Sequence, residues 1–168
     1  MSDLTARKNI RLKGYNYSNP GTYFITVCVK DKHEILGKIV GDAVLCVPHV
    51  ELSYIGKFVK TYLDKTENMP GDVIIEKYVI MPNHVHLLIR LNGGTQRTAS
   101  PTKAAIPRIV HGMKAFTTKN IGFSFWQRSY HDHIIRNKAE YFKISEYIDT
   151  NPMKWTEDFY FIKNEVRE

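Results

Sequence analysis

Two histidines occupy positions where aliphatic residues would be expected in Tyr78-Val79-Ile80-Met81-Pro82-Asn83-His84-Val85-His86-Leu87-Leu88-Ile89. In an extended strand alternate side chains share a face, so His84, His86, Leu88 and Arg90 point one way and Val85, Leu87 and Ile89 the other. Two neutral imidazoles so placed offer adjacent ligands to a divalent metal and leave other coordination positions for substrate oxygens. A pair of strand histidines that only make hydrogen bonds gives the same pattern, and a bare His-x-His does not separate the two. His131 and His133 repeat the spacing, but without the flanking aliphatic run that fixes a strand. They read as a polar segment ahead of a helix, structural or facing DNA.

A metal with open positions needs a reaction. The chain has no Gly-x-x-x-x-Gly-Lys-Ser/Thr phosphate loop, no His-Glu-x-x-His and no Gly-x-Ser-x-Gly elbow. Phosphodiester transfer through a protein nucleophile fits this inventory, because a covalent phospho-enzyme conserves the bond for rejoining without a nucleoside triphosphate. Most of the ten tyrosines suit core or surface packing. On the helix expected near the C-terminus, Tyr141, Ile144, Ser145 and Ile148 share one face, and Tyr147 and Asn151 lie about 40° apart at its margin. There they could present a hydroxyl and an amide to a metal, or serve as a boundary tyrosine and a C-cap before Pro152.

These residues need elements to hold them. Tyr23 to Val29 is rich in β-branched and aromatic residues and predicts a central strand. Lys30 to Pro48, with Gly37 and Gly41 between short apolar pieces, suits a loop with a minor hairpin. The apolar spacing from Val50 to Leu63 predicts an amphipathic helix. Val73 to Ile80 and His84 to Arg90 read as antiparallel strands joined at Pro82-Asn83. Leu91 to Pro101 is a loop. Thr102 is an N-cap for a second helix with Ile106, Ile109 or Val110, Met113 and Phe116 as its stripe. Phe123 to Gln127 suits a last strand, and Asn137-Lys138-Ala139-Glu140 is a capping box for a third helix running to about Thr150. The order predicts an α+β fold, an antiparallel sheet with helices packed on one face.

At 168 residues and 43% hydrophobic the chain fits one domain, 1–168, with a core from about 11 to 155. A net charge of +7 and a pI near 9.3 favour a polyanionic partner. Cys28 and Cys46 make neither a disulfide framework nor a zinc cage, and no apolar run approaches the ~20 residues of a membrane span. The expectation is a cytoplasmic protein with no membrane partner.

The motif Tyr78 to Ile89, a basic helix, then Phe125-Trp126-Gln127-Arg128-Ser129-Tyr130-His131-Asp132-His133, then Glu146-Tyr147-Ile148-Asp149-Thr150-Asn151-Pro152 closely resembles the REP-associated tyrosine transposases. Their relatives, the insertion-sequence HUH single-strand DNA transposases, share the pattern. The resemblance runs from roughly Arg11 to Trp155 and implies a ferredoxin-like fold, His84 and His86 as metal ligands and Tyr147 as nucleophile. It implies Asn151 as the polar helix residue at the metal, where insertion-sequence members carry glutamine. Mg²⁺ or Mn²⁺ is the implied cofactor, and the implied substrate is single-stranded DNA with a REP-like hairpin, cut through a 5′-phosphotyrosine. Candidate DNA contacts are Arg11, Lys13, Lys103, Arg108, Lys114, Lys119, Arg128, Tyr130 and Arg136, with Arg7 and Lys8 beside them. Tyr15 and Tyr17 are candidates for stacking on bases, and Trp126 reads as core. A homodimer, as in insertion-sequence members, and a monomer are both compatible with the resemblance. Two other readings stay open: a hairpin-binding protein of this fold that no longer cuts, and a His-x-His metallohydrolase acting on small molecules.

Overall fold

Two segments combine β-branched, aromatic and leucine residues with no interior glycine or proline, and both become central strands. The structure is a computed structural model describing residues 19–41, 47–67, 73–92 and 105–162. In chain order these form β1 (Gly21–Cys28), a 3-10 turn (Lys30–Lys32), β2 (Gly37–Val40), β3 (His49–Leu52), α1 (Tyr54–Glu67), β4 (Val73–Ile80) and β5 (His84–Leu91). They continue with α2 (Ala105–Ile121), β6 (His131–Ile135), α3 (Lys138–Thr150) and a second 3-10 helix (Asn151–Glu157).

The main sheet is four-stranded and antiparallel, in the order β4-β5-β1-β6, and β2-β3 is a separate hairpin. With the hairpin set aside, the order βαββαβ with the last strand beside the first is the ferredoxin-like arrangement. β1 and β5 lie between neighbours, in a register that sets Thr26 opposite His86 and Cys28 opposite His84. Pro82-Asn83 closes the β4-β5 turn, with Met81 N donating to His84 O at 2.8 Å.

The pleat sorts each strand into two faces. Tyr23, Ile25, Val27, Val85, Leu87 and Ile89 are fully buried in one cluster with Val59 and Leu63 of α1 and Val110 and Met113 of α2. The two helices meet closely at Gly112, where a Cβ would stand 2.1 Å from the Tyr62 hydroxyl. Phe24, Thr26, His84, His86 and Leu88 face the other way. There α3 and the second 3-10 helix cover them, and Lys77 Nζ ties β4 to α3 at Ser145 Oγ (2.8 Å) and Asp149 Oδ2 (2.6 Å).

Four expectations need correction. The third helix does not share a face with the other two but lies on the opposite side of the sheet. The helix expected from Val50 begins at Tyr54: Val50 to Leu52 belong to β3, which completes the minor hairpin with β2. Four residues of strand running into a helix share its apolar spacing, so periodicity merges the two. The last strand is His131–Ile135 and not Phe123 to Gln127, which touches the sheet through one bridge, Val29 to Trp126. Phe125, Trp126 and Tyr130 instead enter the core. Tyr130 is thus a packing residue, 9% exposed, and its ring is not displayed for stacking on bases. The Thr102 cap, the loop from 93, Cys46 and the N-terminal arm lie outside the described residues.

Candidate active site

β5 delivers His84 and His86 to one face, and burial sets their chemistry. Both are essentially without solvent exposure. Desolvation pushes the His84 imidazole down to about 3 and holds His86 well below its ordinary value, with Lys32 adding to the first and His84 to the second. Both rings are neutral at neutral pH, the form that ligates metals.

Their orientation follows from the groups behind them. Asn83 Nδ2 donates to the carbonyls of Lys32 (3.2 Å) and Tyr160 (2.9 Å), so its Oδ1 faces His84 Nδ1 at 2.8 Å. An amide oxygen only accepts, so His84 carries its proton on Nδ1 and its Nε2 is a bare lone pair. That Nε2 lies 2.9 Å from His86 Nε2, and His86 Nδ1 lies 2.8 Å from Thr26 Oγ1. A hydroxyl can donate or accept. With that hydroxyl turned to accept, the His86 tautomer protonated on Nδ1 is the one satisfied, and in it the two Nε2 lone pairs converge on one point. The Lys32 backbone is held left-handed at φ 55, next to Asp31 in the same conformation, a strained turn of the sort that collects at functional sites.

α3 starts as its capping box predicts, with Asn137 Oδ1 accepting from Glu140 N at 2.9 Å. Glu140 reaches back to Arg136 N at 2.7 Å and takes His133 Nε2 at 2.6 Å. The helix lays Tyr147 over the pair: its hydroxyl is 3.3 Å from His86 Nε2 and its ring packs edge-on against Phe24. The same hydroxyl donates to Asp158 Oδ2 at 2.7 Å. Burial pushes the Tyr147 phenol above its ordinary range, and the hydrogen bond to Asp158 adds to the rise.

Asp158 was not foreseen. Its Oδ2 also accepts from Asn151 Nδ2 at 2.7 Å and its Oδ1 from Tyr160 N at 2.7 Å. Asp158, His84 and His86 bring potential ligand atoms within 4.8 Å of one another. Asn151 is 1% exposed, and its Oδ1 is a buried oxygen without a hydrogen-bond partner. Two imidazole nitrogens turned toward each other, a carboxylate beside them and an unused buried amide oxygen fit a divalent cation. No spacing rule joins residue 158 to 84 and 86; the only hint was a single acid among aromatics in Asp158-Phe159-Tyr160-Phe161.

The DNA candidates divide. Arg108, Lys119, Arg128 and Arg136 are exposed. Lys114 is half-buried and ties down the chain at Gln127 O (2.7 Å) and Ser129 O (3.1 Å). Arg11, Lys13 and Lys103 lie outside the described residues.

The class so defined is a ferredoxin-like protein with a histidine pair and a tyrosine converging on one sheet face. The model of the family described as IS200-like transposases matches residues 20–151, and the chain belongs to that family. It is 36% identical to an uncharacterised protein of Haemophilus influenzae over 93% of both chains. It is 23% identical to a proposed REP-associated tyrosine transposase of the same organism, over 83% of this chain and 74% of that one. Among solved structures, a REP-associated tyrosine transposase bound to a REP hairpin superposes with a TM-score of 0.60 at 21% identity, covering 86% of this chain and 73% of that one. That likeness concerns the fold. Among the described residues no helix is long and apolar enough to cross a membrane.

Proposed function

We propose that this transposase cuts and rejoins single-stranded, hairpin-bearing DNA through a covalent phosphotyrosine on Tyr147, with His84 and His86 as ligands of Mg²⁺ or Mn²⁺. The observation that carries the reading is the placement of the Tyr147 hydroxyl against both His86 Nε2 and the Asp158 carboxylate, across 61 and 11 residues of sequence. A divalent metal bound there would polarise the scissile phosphate and offset charge on its oxygens. Tyr147 Oη attacks phosphorus, and its proton passes to Asp158 Oδ2. The bond to the 3′ oxygen breaks, giving a 3′-hydroxyl once solvent supplies a proton, and the 5′ phosphate stays on the tyrosine. In the rejoining half a 3′-hydroxyl attacks phosphorus and gives its proton to solvent, the bond from phosphorus to Tyr147 Oη breaks, and Asp158 returns its proton to the tyrosine.

A phenol held above its ordinary range does not ionise unaided near neutral pH, so the attack needs an acceptor in contact with it, and Asp158 is placed for that. Asn151 is assigned to holding Asp158 and to lending Oδ1 toward the cation. Arg108, Lys119, Arg128 and Arg136 serve as phosphate contacts. All four groups of the chemistry come from one chain, so a homodimer is not needed to complete the site. A REP-like hairpin is the favoured substrate because the superposable REP-associated protein is bound to one. A cytoplasmic, DNA-associated location follows from that substrate.

The test uses labelled single-stranded DNA carrying an inverted repeat from beside the gene, with Mn²⁺, resolved on a denaturing gel. The wild type is expected to give a covalent adduct that Tyr147→Phe lacks while still binding the hairpin. An undiminished adduct in the variant overturns the assignment of Tyr147. Hairpin binding by the wild type with no adduct under any divalent metal points to the protein that binds without cutting.

A further inference from the structure

Of the thirteen residues of α3, the helix that carries Tyr147, only Ile148 is buried. One buried side chain makes a pivot and leaves the roll of the helix about its axis to polar ties. Tyr147's own bonds, to His86 and Asp158, are the ones that change as it attacks. Side chains reach ~5–6 Å from a helix axis, so a roll of ~10° carries the Tyr147 hydroxyl ~1 Å. A displacement of that size at a reacting atom can cost ~100-fold in rate.

β4 supplies a tie by way of a bulge. Ile74 pairs with Arg90, Ile75 with Ile89 and Lys77 with Leu88, so Glu76 is an extra residue in the ladder. Strict alternation from Ile75, buried in the core, would send Lys77 to the same apolar face. The inserted residue reverses the phase: Glu76 turns to Arg90 Nε, and Lys77 comes out beside it on the side of the sheet that α3 covers. There Lys77 Nζ donates to Ser145 Oγ at 2.8 Å and to Asp149 Oδ2 at 2.6 Å. Ser145 and Asp149 stand two residues before and after Tyr147, ~160° round the helix from it. Lys77 therefore holds the flank of α3 over the edge strand β4, while Tyr147 hangs from the opposite flank against Phe24 of β1 and His86 of β5. Two bonds from one ammonium to side chains a turn apart resist both roll and slide of the helix.

We propose that Lys77 is a positioning residue: with Ser145 and Asp149 it clamps the roll of α3 and so sets the line of Tyr147 onto the scissile phosphate. The inference rests on Tyr147 as the nucleophile and adds the residue that aims it. Among the described residues the Lys77 ammonium bonds to α3 and not to His84, His86 or Asp158, so its loss leaves the metal site intact. An exposed charge-assisted pair biases an equilibrium by no more than its own worth, so the expected loss is ~10-fold, short of that for full displacement.

The test is single-turnover adduct formation on the hairpin-bearing strand with Mn²⁺, beside hairpin affinity measured by fluorescence anisotropy with chelator present. Lys77→Met is expected to slow the adduct ~10-fold while hairpin affinity and the half-saturating Mn²⁺ concentration stay at wild-type values. Asp149→Asn, which opens the clamp from the helix side, should slow it likewise. The double variant should be no slower than the slower single one, because both remove the same clamp. Lys77→Arg, which keeps the charge and can reach both oxygens, should recover most of the rate lost in Lys77→Met. An unchanged rate in Lys77→Met, no recovery in Lys77→Arg or additive losses in the double variant overturns the clamp alone. A loss shared by rate, metal requirement and hairpin affinity overturns it in favour of a general loosening of the fold. A wild type that forms no adduct under any divalent metal, or an adduct that survives Tyr147→Phe, overturns the nucleophile reading and the clamp with it.

Discussion

β5 is one strand with two unlike faces. Val85, Leu87, Ile89 and Leu91 lock into an apolar cluster under α1 and α2, where each contact is replaceable by another of similar volume. His84 and His86, one residue out of phase, are just as buried, yet every polar atom there is directed by a named partner. The first face is held by area removed from water and the second by hydrogen-bond direction, so damage to them should show in different measurements.

The largest expected effect separates the two faces most cleanly. Asp158→Asn keeps the shape and the bond from Tyr160 N but removes the proton acceptor. The rate of adduct formation should fall ~10²- to 10⁴-fold, as for loss of a general base, with the melting temperature little moved. Leu87→Ala should do the reverse: a fully buried leucine truncated in the core costs ~2–5 kcal/mol in denaturant unfolding, while the metal concentration for half-maximal cleavage stays put. Thr26→Val is the finer test on the site face. It leaves the volume and removes the hydroxyl behind His86, and the half-saturating metal concentration should rise ~10–100-fold, as for loss of an outer-shell partner. If the Thr26 variant instead loses stability on the Leu87 scale, the distinction between the faces fails.

Acid sharpens the comparison last. The folded values of both histidines lie below their unfolded value near 6.5, with His84 at about 3. Below pH ~6.5 the unfolded chain therefore binds protons that the native state refuses. Stability of the metal-free protein falls as pH drops from there toward the folded values, by up to ~1.4 kcal/mol per pH unit per histidine. Equilibrium unfolding at pH 7 and 5 measures it, and His86→Gln should flatten the slope by one proton.

Much of this was legible in the sequence. The alternation in β5 placed the histidines on one face, the Asn137 to Glu140 box set the start of α3, and helical angles put Tyr147 and Asn151 at a common margin. The rest was illegible for physical reasons. β6 is a polar edge strand, His131-Asp132-His133, that owes its conformation to the ladder with β1, while the aromatic segment before it has the better strand propensity and is drawn into the core instead. The side of the sheet taken by α3 depends on what lies across the sheet. Asp158 joins the site only because the chain after the second 3-10 helix turns back over Tyr160.

The hydrogen bonds that define the site span the chain: Thr26 to His86 over 60 residues, Tyr147 to His86 over 61, and Asn83 to Tyr160 over 77. Contacts of such separation carry the loop-closure cost before any return, and synthesis supplies the N-terminal partners first. The histidine pair can assemble with the β4-β5 hairpin and β1, but Tyr147 and Asp158 come from α3 and the chain after it, which follow in sequence. Until α3 and the segment carrying Asp158 dock on the sheet, the two histidines stand without the tyrosine and carboxylate that face them, so the proposed chemistry depends on the slowest contacts of the fold to form.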